Sequence, residues 1–95
     1  MNRYWIYIMG SESRNTIYVG VTDNLLRRVA EHRNGIYDGF TKKYRCSLLL
    51  YFEEYGDIRD AIAREKEIKG WRRVKKETLI IAMNPARNDL AKDWW

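Results

Sequence analysis

An arginine and a histidine lie four residues apart in a segment that is typical of an amphipathic helix. At this spacing the side chains of Arg28 and His32 share one face of the helix. Guanidinium groups bind anions and imidazoles transfer protons near neutral pH, so the pair is a candidate site. An exposed basic face is the commoner outcome for any such pair, and it stays the alternative.

A glutamate falls on the apolar stripe of a second predicted helix. Glu65 lies three residues after Ile62 and three before Ile68. The full stripe consists of Ile58, Ala61, Ile62 and Ile68. A carboxylate on an apolar face is partly desolvated, which is costly unless a partner compensates its charge. The candidate partners are a metal ion, water, or a structural ion pair with Arg28 or a neighbouring lysine.

Two tyrosines, Tyr7 and Tyr18, lie in two predicted strands that follow one another in the chain. Strand tyrosines most often serve cross-strand packing, and the chain contains seven tyrosines in all. Taken alone, these two positions therefore predict packing and not chemistry.

The elements that position these side chains begin with a hairpin. Residues 3–9 and 17–22 are rich in aromatic and β-branched residues, which favours strands, and a turn-forming cluster separates them. A helix follows from about Asn24, with Asp23 as its N-cap. Its apolar stripe consists of Leu25, Leu26, Val29 and Ala30.

Strand and helix signals alternate along the rest of the chain. A basic, aromatic loop over residues 37–44 precedes a Leu-rich strand over 48–55. A second helix over 58–69 is capped by Asp57, and a third helix covers 71–83. The order strand, strand, helix, strand, helix, helix predicts an α+β fold with a three-stranded, mostly antiparallel sheet flanked by helices.

The third helix is predicted to pack through one face, made of Trp71, Val74, Thr78, Ile81 and Ala82. Asn84 and Pro85 end it, since proline cannot continue the ladder of hydrogen bonds. The tail over 89–95 either adds a short helix that packs Trp94 or Trp95 onto the domain, or frays.

Composition bounds the class of protein. The 95 residues fit one domain with a core over about 3–90, and the net charge is +5. This positive excess predicts either a well-solvated surface or a basic face for a polyanion.

The single cysteine, Cys46, favours a reducing, cytoplasmic compartment and is expected to be a small buried residue. No membrane association is expected, because no segment approaches the ~18 apolar residues of a membrane span.

The ordered set of motifs resembles the GIY-YIG nuclease family, and most closely its small, standalone bacterial members. Trp5-Ile6-Tyr7 corresponds to the first signature and Tyr18-Val19-Gly20 to the second. Trp5 and Val19 depart from the signatures at backbone or packing positions. The resemblance spans about residues 3–90 and continues through Arg28, His32, Gly39–Tyr44, Ala61–Glu65 and Asn84-Pro85.

The resemblance implies an endonuclease that hydrolyses nucleic-acid phosphodiester bonds with one divalent cation. Glu65 would bind this cation, Mg²⁺ or Mn²⁺, because Mg²⁺ favours carboxylate and water oxygens. Arg28 would hold the phosphate and stabilise its extra charge in the transition state. Tyr7, Tyr18 or His32 would help to deprotonate the attacking water.

The resemblance also implies supporting residues and a partner. Gly20 would let backbone or substrate approach closely, and Asn84 would orient the site by hydrogen bonding. DNA is expected as the partner more than RNA, in repair or recombination, and the oligomeric state stays open. Candidate phosphate contacts are Arg27, Lys42 and Lys43 near the site, with a second basic run that includes Arg72 and Arg73.

Several alternatives stay open. The second basic run is equally consistent with a solvated helix face, and Tyr37 or Phe40 either stacks on an unpaired base or packs under its loop. The domain could hold nucleic acid while cutting it poorly or not at all. It could also be a structural or protein-interaction domain whose basic charge is incidental, in which case nucleic acid would not bind even at low salt.

Overall fold

The computed structural model describes residues 2–14, 16–35 and 39–95, except for the side chains of residues 40–42. The elements within these ranges are, in chain order, β1 (Tyr4–Ser11), β2 (Ile17–Thr22), α1 (Leu25–Arg33), α2 (Gly39–Tyr44), β3 (Cys46–Tyr55), α3 (Ile58–Lys69) and α4 (Arg73–Met83). The predicted α+β class and the order of the strands and longer helices are confirmed.

The central strand β1 divides the core into two layers. It pairs antiparallel with β2 on one side and with β3 on the other. Because side chains alternate along a strand, Ile6 and Ile8 face one layer, where α3 and α4 pack. Tyr7 and Met9 face the other layer, where α1 packs. The two-residue period therefore places Tyr7 on the same side of the sheet as α1.

The segments that flank α1 differ from the prediction. Residues 39–44 form the short helix α2 and not a loop, because six residues are too few to show a readable helical period. The N-cap of α1 is Asn24 and not Asp23, since the Asn24 side chain accepts a 3.0 Å hydrogen bond from the Arg27 backbone N–H. Asp23 instead lies 3.8 Å from the Arg27 guanidinium. Tyr37 lies outside the described residues.

The packing face predicted for α4 was largely wrong, although Trp71, just before the helix, is partly buried against the core as expected. Val74 is 78% exposed and Ile81 is also exposed, whereas Ile80 is fully buried. Ile80 and the partly buried Leu79 carry the contact with the core. Because the helix has apolar residues on several sides, its periodicity alone does not indicate which side meets the sheet.

Two other predicted stripes are only partly buried. On α3, Ala61 and Ile68 are buried while Ile58 and Ile62 are exposed. On α1, Leu26 is likewise exposed. On each helix, the sheet therefore covers only some of the residues in the apolar stripe.

The C-terminal segment closes the layer that contains α1. The backbone N–H of Leu90 donates to the carbonyl oxygen of Leu49 at 2.8 Å. Of the two alternatives for the tail, the short helix is not formed by the described residues 89–95, of which 90–93 are turns. Trp94 nevertheless packs on Phe52 with ring centroids 6.4 Å apart, as expected of the tail. Trp95 lies under the Arg33 guanidinium at 4.7 Å.

Cys46 is fully buried at the first residue of β3, which confirms its expected packing role. Across the described part of the chain, no helix has the length and apolar character needed to cross a membrane.

Candidate active site

The two signature tyrosines meet on the face of the sheet that packs against α1. Tyr7 pairs with Gly20 across the β1–β2 ladder, and Tyr18 pairs with Met9, two residues beyond Tyr7. Residues two apart on a strand share a face, so both tyrosine side chains point to α1. Their ring centroids are 6.3 Å apart, within the range of favourable aromatic pairs.

Gly20 makes room for the Tyr7 ring. A Cβ at residue 20 would lie 2.5 Å from both Cζ and Oη of Tyr7, which is far inside van der Waals contact. The close approach that the family resemblance implied at this glycine is therefore made by an aromatic side chain of the neighbouring strand. The position requires glycine for space.

His32 joins the tyrosines from the last turn of α1. Its Nε2 lies 2.9 Å from Oη of Tyr7, and the phenol donates when this nitrogen carries no proton. The imidazole also packs against Tyr18, with ring centroids 5.3 Å apart. Tyr7 is fully buried and His32 is 3% exposed, whereas Tyr18 is partly exposed. The three rings thus form one buried cluster with a single member at the surface.

Arg28 lies one helical turn before His32 and is oriented by an acidic neighbour. Its Nη1 donates to Oε1 of Glu31 at 2.9 Å, and both side chains are mostly buried. A charge-assisted bond of this kind restricts the guanidinium to a few orientations. Arg28 and His32 do not form the exposed basic face that was the alternative, because neither side chain is largely solvated.

Glu65 approaches the ring cluster from the opposite layer, through a lysine. Its Oε2 lies 3.1 Å from Nζ of Lys69, and its side chain is 15% exposed. The same ammonium lies 6.0 Å from the centroid of the Tyr18 ring. Because β2 is an edge strand, side chains of α3 can approach Tyr18 past the edge of the sheet. The expected desolvation of Glu65 is present, and its partner is a neighbouring lysine.

A clamp between β3 and α3 sets the orientation of the helix at Glu65. The adjacent residue Arg64 donates to both carboxylate oxygens of Glu53, at 3.0 and 3.1 Å. Tyr51 and Tyr55 also donate to Glu53. Such a bidentate pair resists rotation of α3 about its axis, so it helps to set which side of the helix faces β3.

The clamp shifts the acidity of its members. Burial works to raise the pKa of the Glu53 carboxyl, but hydrogen bonds from Arg64, Tyr51 and Tyr55 outweigh it and hold the pKa below its ordinary value. Burial and the hydrogen bond to Glu53 raise the pKa of Tyr55 to about 12. Glu53 is therefore an anion, and Tyr55 a neutral donor, at neutral pH.

The carboxylate available at this site suits a divalent cation that is held partly by the protein and partly by the phosphates of a substrate. Among the described residues, no three His, Cys, Asp or Glu side chains cluster to enclose a metal. Mg²⁺, however, usually keeps several waters and binds through one or two carboxylates together with substrate phosphates. One mostly buried carboxylate, Glu65, whose partner Lys69 lies 6.0 Å from the Tyr18 ring, matches that description.

Two supporting residues were also predicted, Asn84 and Gly20. Asn84 is buried, and its side-chain amide donates to the backbone of Leu50 and Asn88 at 3.1 and 2.7 Å. Its bonds thus connect β3 with the C-terminal segment. Gly20 belongs to the centre, as described above.

The predicted phosphate contacts fall into three groups. Arg27, Lys43 and Arg72 are exposed. Arg73 is bound at 2.8 Å to Glu77 and at 2.7 Å to the carbonyl oxygen of Arg14, which ties α4 to the hairpin turn. The side chain of Lys42 lies outside the described residues, as does that of Phe40.

Two residues that the sequence reasoning did not single out complete the centre. Lys69 is four residues after Glu65, and Glu31 is three after Arg28. Both spacings place side chains together on a helix, so this signal could have been read. Many other charged pairs in the chain have the same spacing, so these two pairs did not stand out.

The sequence is similar to those of known proteins. A model of the GIY-YIG catalytic domain matches residues 3–78. A UPF0213 protein of Staphylococcus haemolyticus is 34% identical over 80 residues, covering 84% of this chain and 96% of that protein. A UPF0213 protein of Natronomonas pharaonis is 36% identical over 77 residues, covering 81% of this chain and 89% of that protein.

A solved structure shares the fold. The solution NMR structure of a UPF0213 protein from Bacillus halodurans superimposes with a TM-score of 0.59 at 24% identity, covering 96% of this chain and 97% of that chain. The domain match covers most of the chain, and both sequence relatives align over nearly their whole length. The chain therefore belongs to the GIY-YIG family of nuclease domains.

Proposed function

We propose that the protein is an endonuclease that hydrolyses phosphodiester bonds of nucleic acid with one divalent cation, Mg²⁺ or Mn²⁺. The observation that supports this most is the buried Tyr7–His32 hydrogen bond with Tyr18 packed against both rings. These polar rings occupy positions of the family's motifs, and Lys69 connects the partly exposed ring, Tyr18, with Glu65.

Tyr18 is our candidate for the group that contacts the attacking water. Tyr7 is fully buried and His32 nearly so, whereas Tyr18 reaches the surface. A general base must come within hydrogen-bond distance of the proton that it removes, and exposure favours Tyr18 for that contact. Tyr7 holds the imidazole in place through its hydroxyl, and His32 supports Tyr18 by ring packing.

Arg28 and Glu65 have separate roles in this reaction. Arg28 binds the scissile phosphate and stabilises the negative charge that grows in the transition state. Glu65 holds the divalent cation. When bound, a metal of this kind stabilises the leaving oxygen and the developing charge on the phosphate.

The substrate that we propose is DNA with branched, flapped or single-stranded character, in repair or recombination within the cytoplasm. The exposed Arg27, Lys43 and Arg72 contact phosphates along the strand. Such contacts carry no sequence information and weaken steeply with salt. Recognition therefore depends on the shape of the substrate more than on its sequence.

A second function is a binding module with this fold that cuts nucleic acid poorly or not at all. Two observations favour it: the Tyr7 hydroxyl is buried away from solvent, and Glu65 is already neutralised by Lys69. In this case the basic surface binds nucleic acid while the ring cluster only stabilises the fold.

Cleavage of a labelled panel of single-stranded, duplex, flap and branched DNAs, with matching RNAs, tests the proposal. Reactions contain Mg²⁺, Mn²⁺ or a chelator, with wild type beside Glu65→Ala. The matched control is Glu67→Ala, which removes an exposed carboxylate two residues further along α3. We expect metal-dependent cleavage by wild type and control, and a loss of at least about 10²-fold in Glu65→Ala.

Each result has a clear consequence. Equal cleavage by Glu65→Ala and wild type would reject our assignment of the metal ligand. Salt-sensitive binding without cleavage in any metal would favour the binding module. Circular dichroism of each variant ensures that lost activity does not reflect lost folding.

A further inference from the structure

The carboxylate that we assign to the metal already carries a positive counter-ion. Lys69 Nζ lies 3.1 Å from Glu65 Oε2, one turn along α3. The same ammonium lies 6.0 Å from the centroid of the Tyr18 ring, which is within the range of cation–π attraction. Lys69 therefore links the carboxylate to the one ring of the cluster that reaches the surface.

The two partners are unequally exposed. The Glu65 side chain is 15% exposed, whereas that of Lys69 is 49% exposed. A mostly buried carboxylate needs a partner for its charge when no metal is bound. A half-exposed ammonium on a flexible four-carbon stem can leave at low cost, because water solvates it readily.

We propose that Lys69 is the resident counter-ion of Glu65, and that a divalent cation binds this carboxylate by displacing the ammonium. The inference rests on the proposed metal-binding role of Glu65. A cation and an ammonium at the same carboxylate repel each other strongly over a few ångströms. Both therefore cannot hold the same oxygen, and Lys69 competes with the metal.

Displacement of Lys69 also couples the binding of the metal to the binding of the substrate. The displaced ammonium stays tethered beside Tyr18, where a substrate phosphate would attract it. A phosphate that draws Lys69 away exposes the Glu65 carboxylate to the cation, and by thermodynamic linkage the cation favours the phosphate equally. Lys69 thus acts as a positioning residue that disfavours metal binding until nucleic acid is present.

Mn²⁺ titration of the protein alone tests the competition, with the electron paramagnetic resonance signal of free Mn²⁺ as the readout. Lys69→Met removes the charge but keeps an unbranched side chain, and Lys69→Arg keeps the charge. Lys66→Met is the matched control, because it removes an exposed charge one residue after Glu65 on the same helix. Glu65→Gln removes the ligand itself.

We expect Lys69→Met to bind Mn²⁺ roughly three- to tenfold more tightly than wild type, since a competing ion pair of modest strength is lost. Lys69→Arg should bind Mn²⁺ equally or more weakly. Lys66→Met should stay within about twofold of wild type, because an exposed charge without the carboxylate contact is screened. The gain should vanish in the double variant Glu65→Gln with Lys69→Met.

The outcomes separate this inference from the function on which it rests. Equal Mn²⁺ affinity of Lys69→Met and Lys66→Met, with binding still lost in Glu65→Gln, would overturn the role of Lys69 and leave the metal site intact. A Lys69→Met variant with lower thermal stability but unchanged Mn²⁺ affinity would overturn that role as well. Unchanged Mn²⁺ affinity in Glu65→Gln would remove the metal site and this inference together.

Discussion

Replacing Gly20 with alanine tests whether space at this position holds the ring cluster together. The new Cβ would lie 2.5 Å from Cζ and Oη of Tyr7 and 2.8 Å from Cε1. Non-bonded carbon atoms prefer about 3.5–4.0 Å, so the overlap is roughly 1 Å. Since Tyr7 is fully buried, its ring has no solvent to move into, and the ring or the two strands must shift by a similar distance.

The size of the effect follows from two contributions. Overpacking a core costs about 1–3 kcal/mol. A shift of roughly 1 Å also takes the 2.9 Å Tyr7–His32 bond out of hydrogen-bond range, and an unsatisfied buried partner costs about 1–3 kcal/mol. The unfolding free energy should therefore fall by about 2–6 kcal/mol, which lowers Tm by roughly 10 °C or more in a domain of this size. Cleavage should fall by about 10²-fold.

Thermal unfolding and the imidazole NMR resonances of His32 measure both effects. The chain has a single histidine, so the resonances need no assignment. Gly10→Ala is the matched control, because its Cβ would lie 2.4 Å from Cδ1 of Leu50 in the other core layer. It should lower Tm but leave His32 unchanged. Gly56→Ala, with no atom within 4 Å of its Cβ, should change neither.

The reasoning would be refuted if Gly20→Ala kept the wild-type Tm and the wild-type His32 resonances. It would also fail if Gly10→Ala moved those resonances as far, because the effect would then be a general loosening of the core. A large Tm loss with unmoved resonances would mean that the strands absorb the overlap and the ring contact survives.

Two further predictions concern stability. Asn84→Ala should lower the unfolding free energy by about 2–4 kcal/mol, because the buried amide group bonds the backbone of Leu50 and Asn88 three times; urea denaturation measures this, and a loss below about 1 kcal/mol would contradict it. Glu53 has a pKa below its ordinary 4.5, so its contribution to stability is present above pH 4.5 and is lost as pH falls through the lowered pKa. The pKa of Tyr55, raised from 10.0 to about 12, gives a contribution that is complete below pH 10 and lost as pH rises to about 12. Unfolding midpoints across pH in wild type and Glu53→Gln check both, and an unchanged acid limb in the variant would argue against the clamp.

Much of the fold could be predicted because its signals are local. Runs of aromatic and β-branched residues placed Tyr7 and Tyr18 in neighbouring strands, and the helical spacing of Arg28 and His32 placed them on one face. The desolvation of Glu65 could also be inferred from the stripe on which it lies. These properties depend on residues a few positions apart, whose geometry the backbone period sets.

The tertiary structure determined which side of each helix packs against the rest of the protein. The buried side of α4 is carried by Ile80 and not by Val74, because the sheet determines which side is covered.

Two contacts at the site also depend on the tertiary structure. Gly20 is needed for the Tyr7 ring, which only the strand register brings opposite it. The Glu65–Lys69 pair follows from helical spacing within α3, but the packing of α3 beside β2 brought the Lys69 ammonium to Tyr18. The sequence by itself thus determined the elements and the residue types at the site, whereas contacts between distant segments required the packed chain, because no local period encodes them.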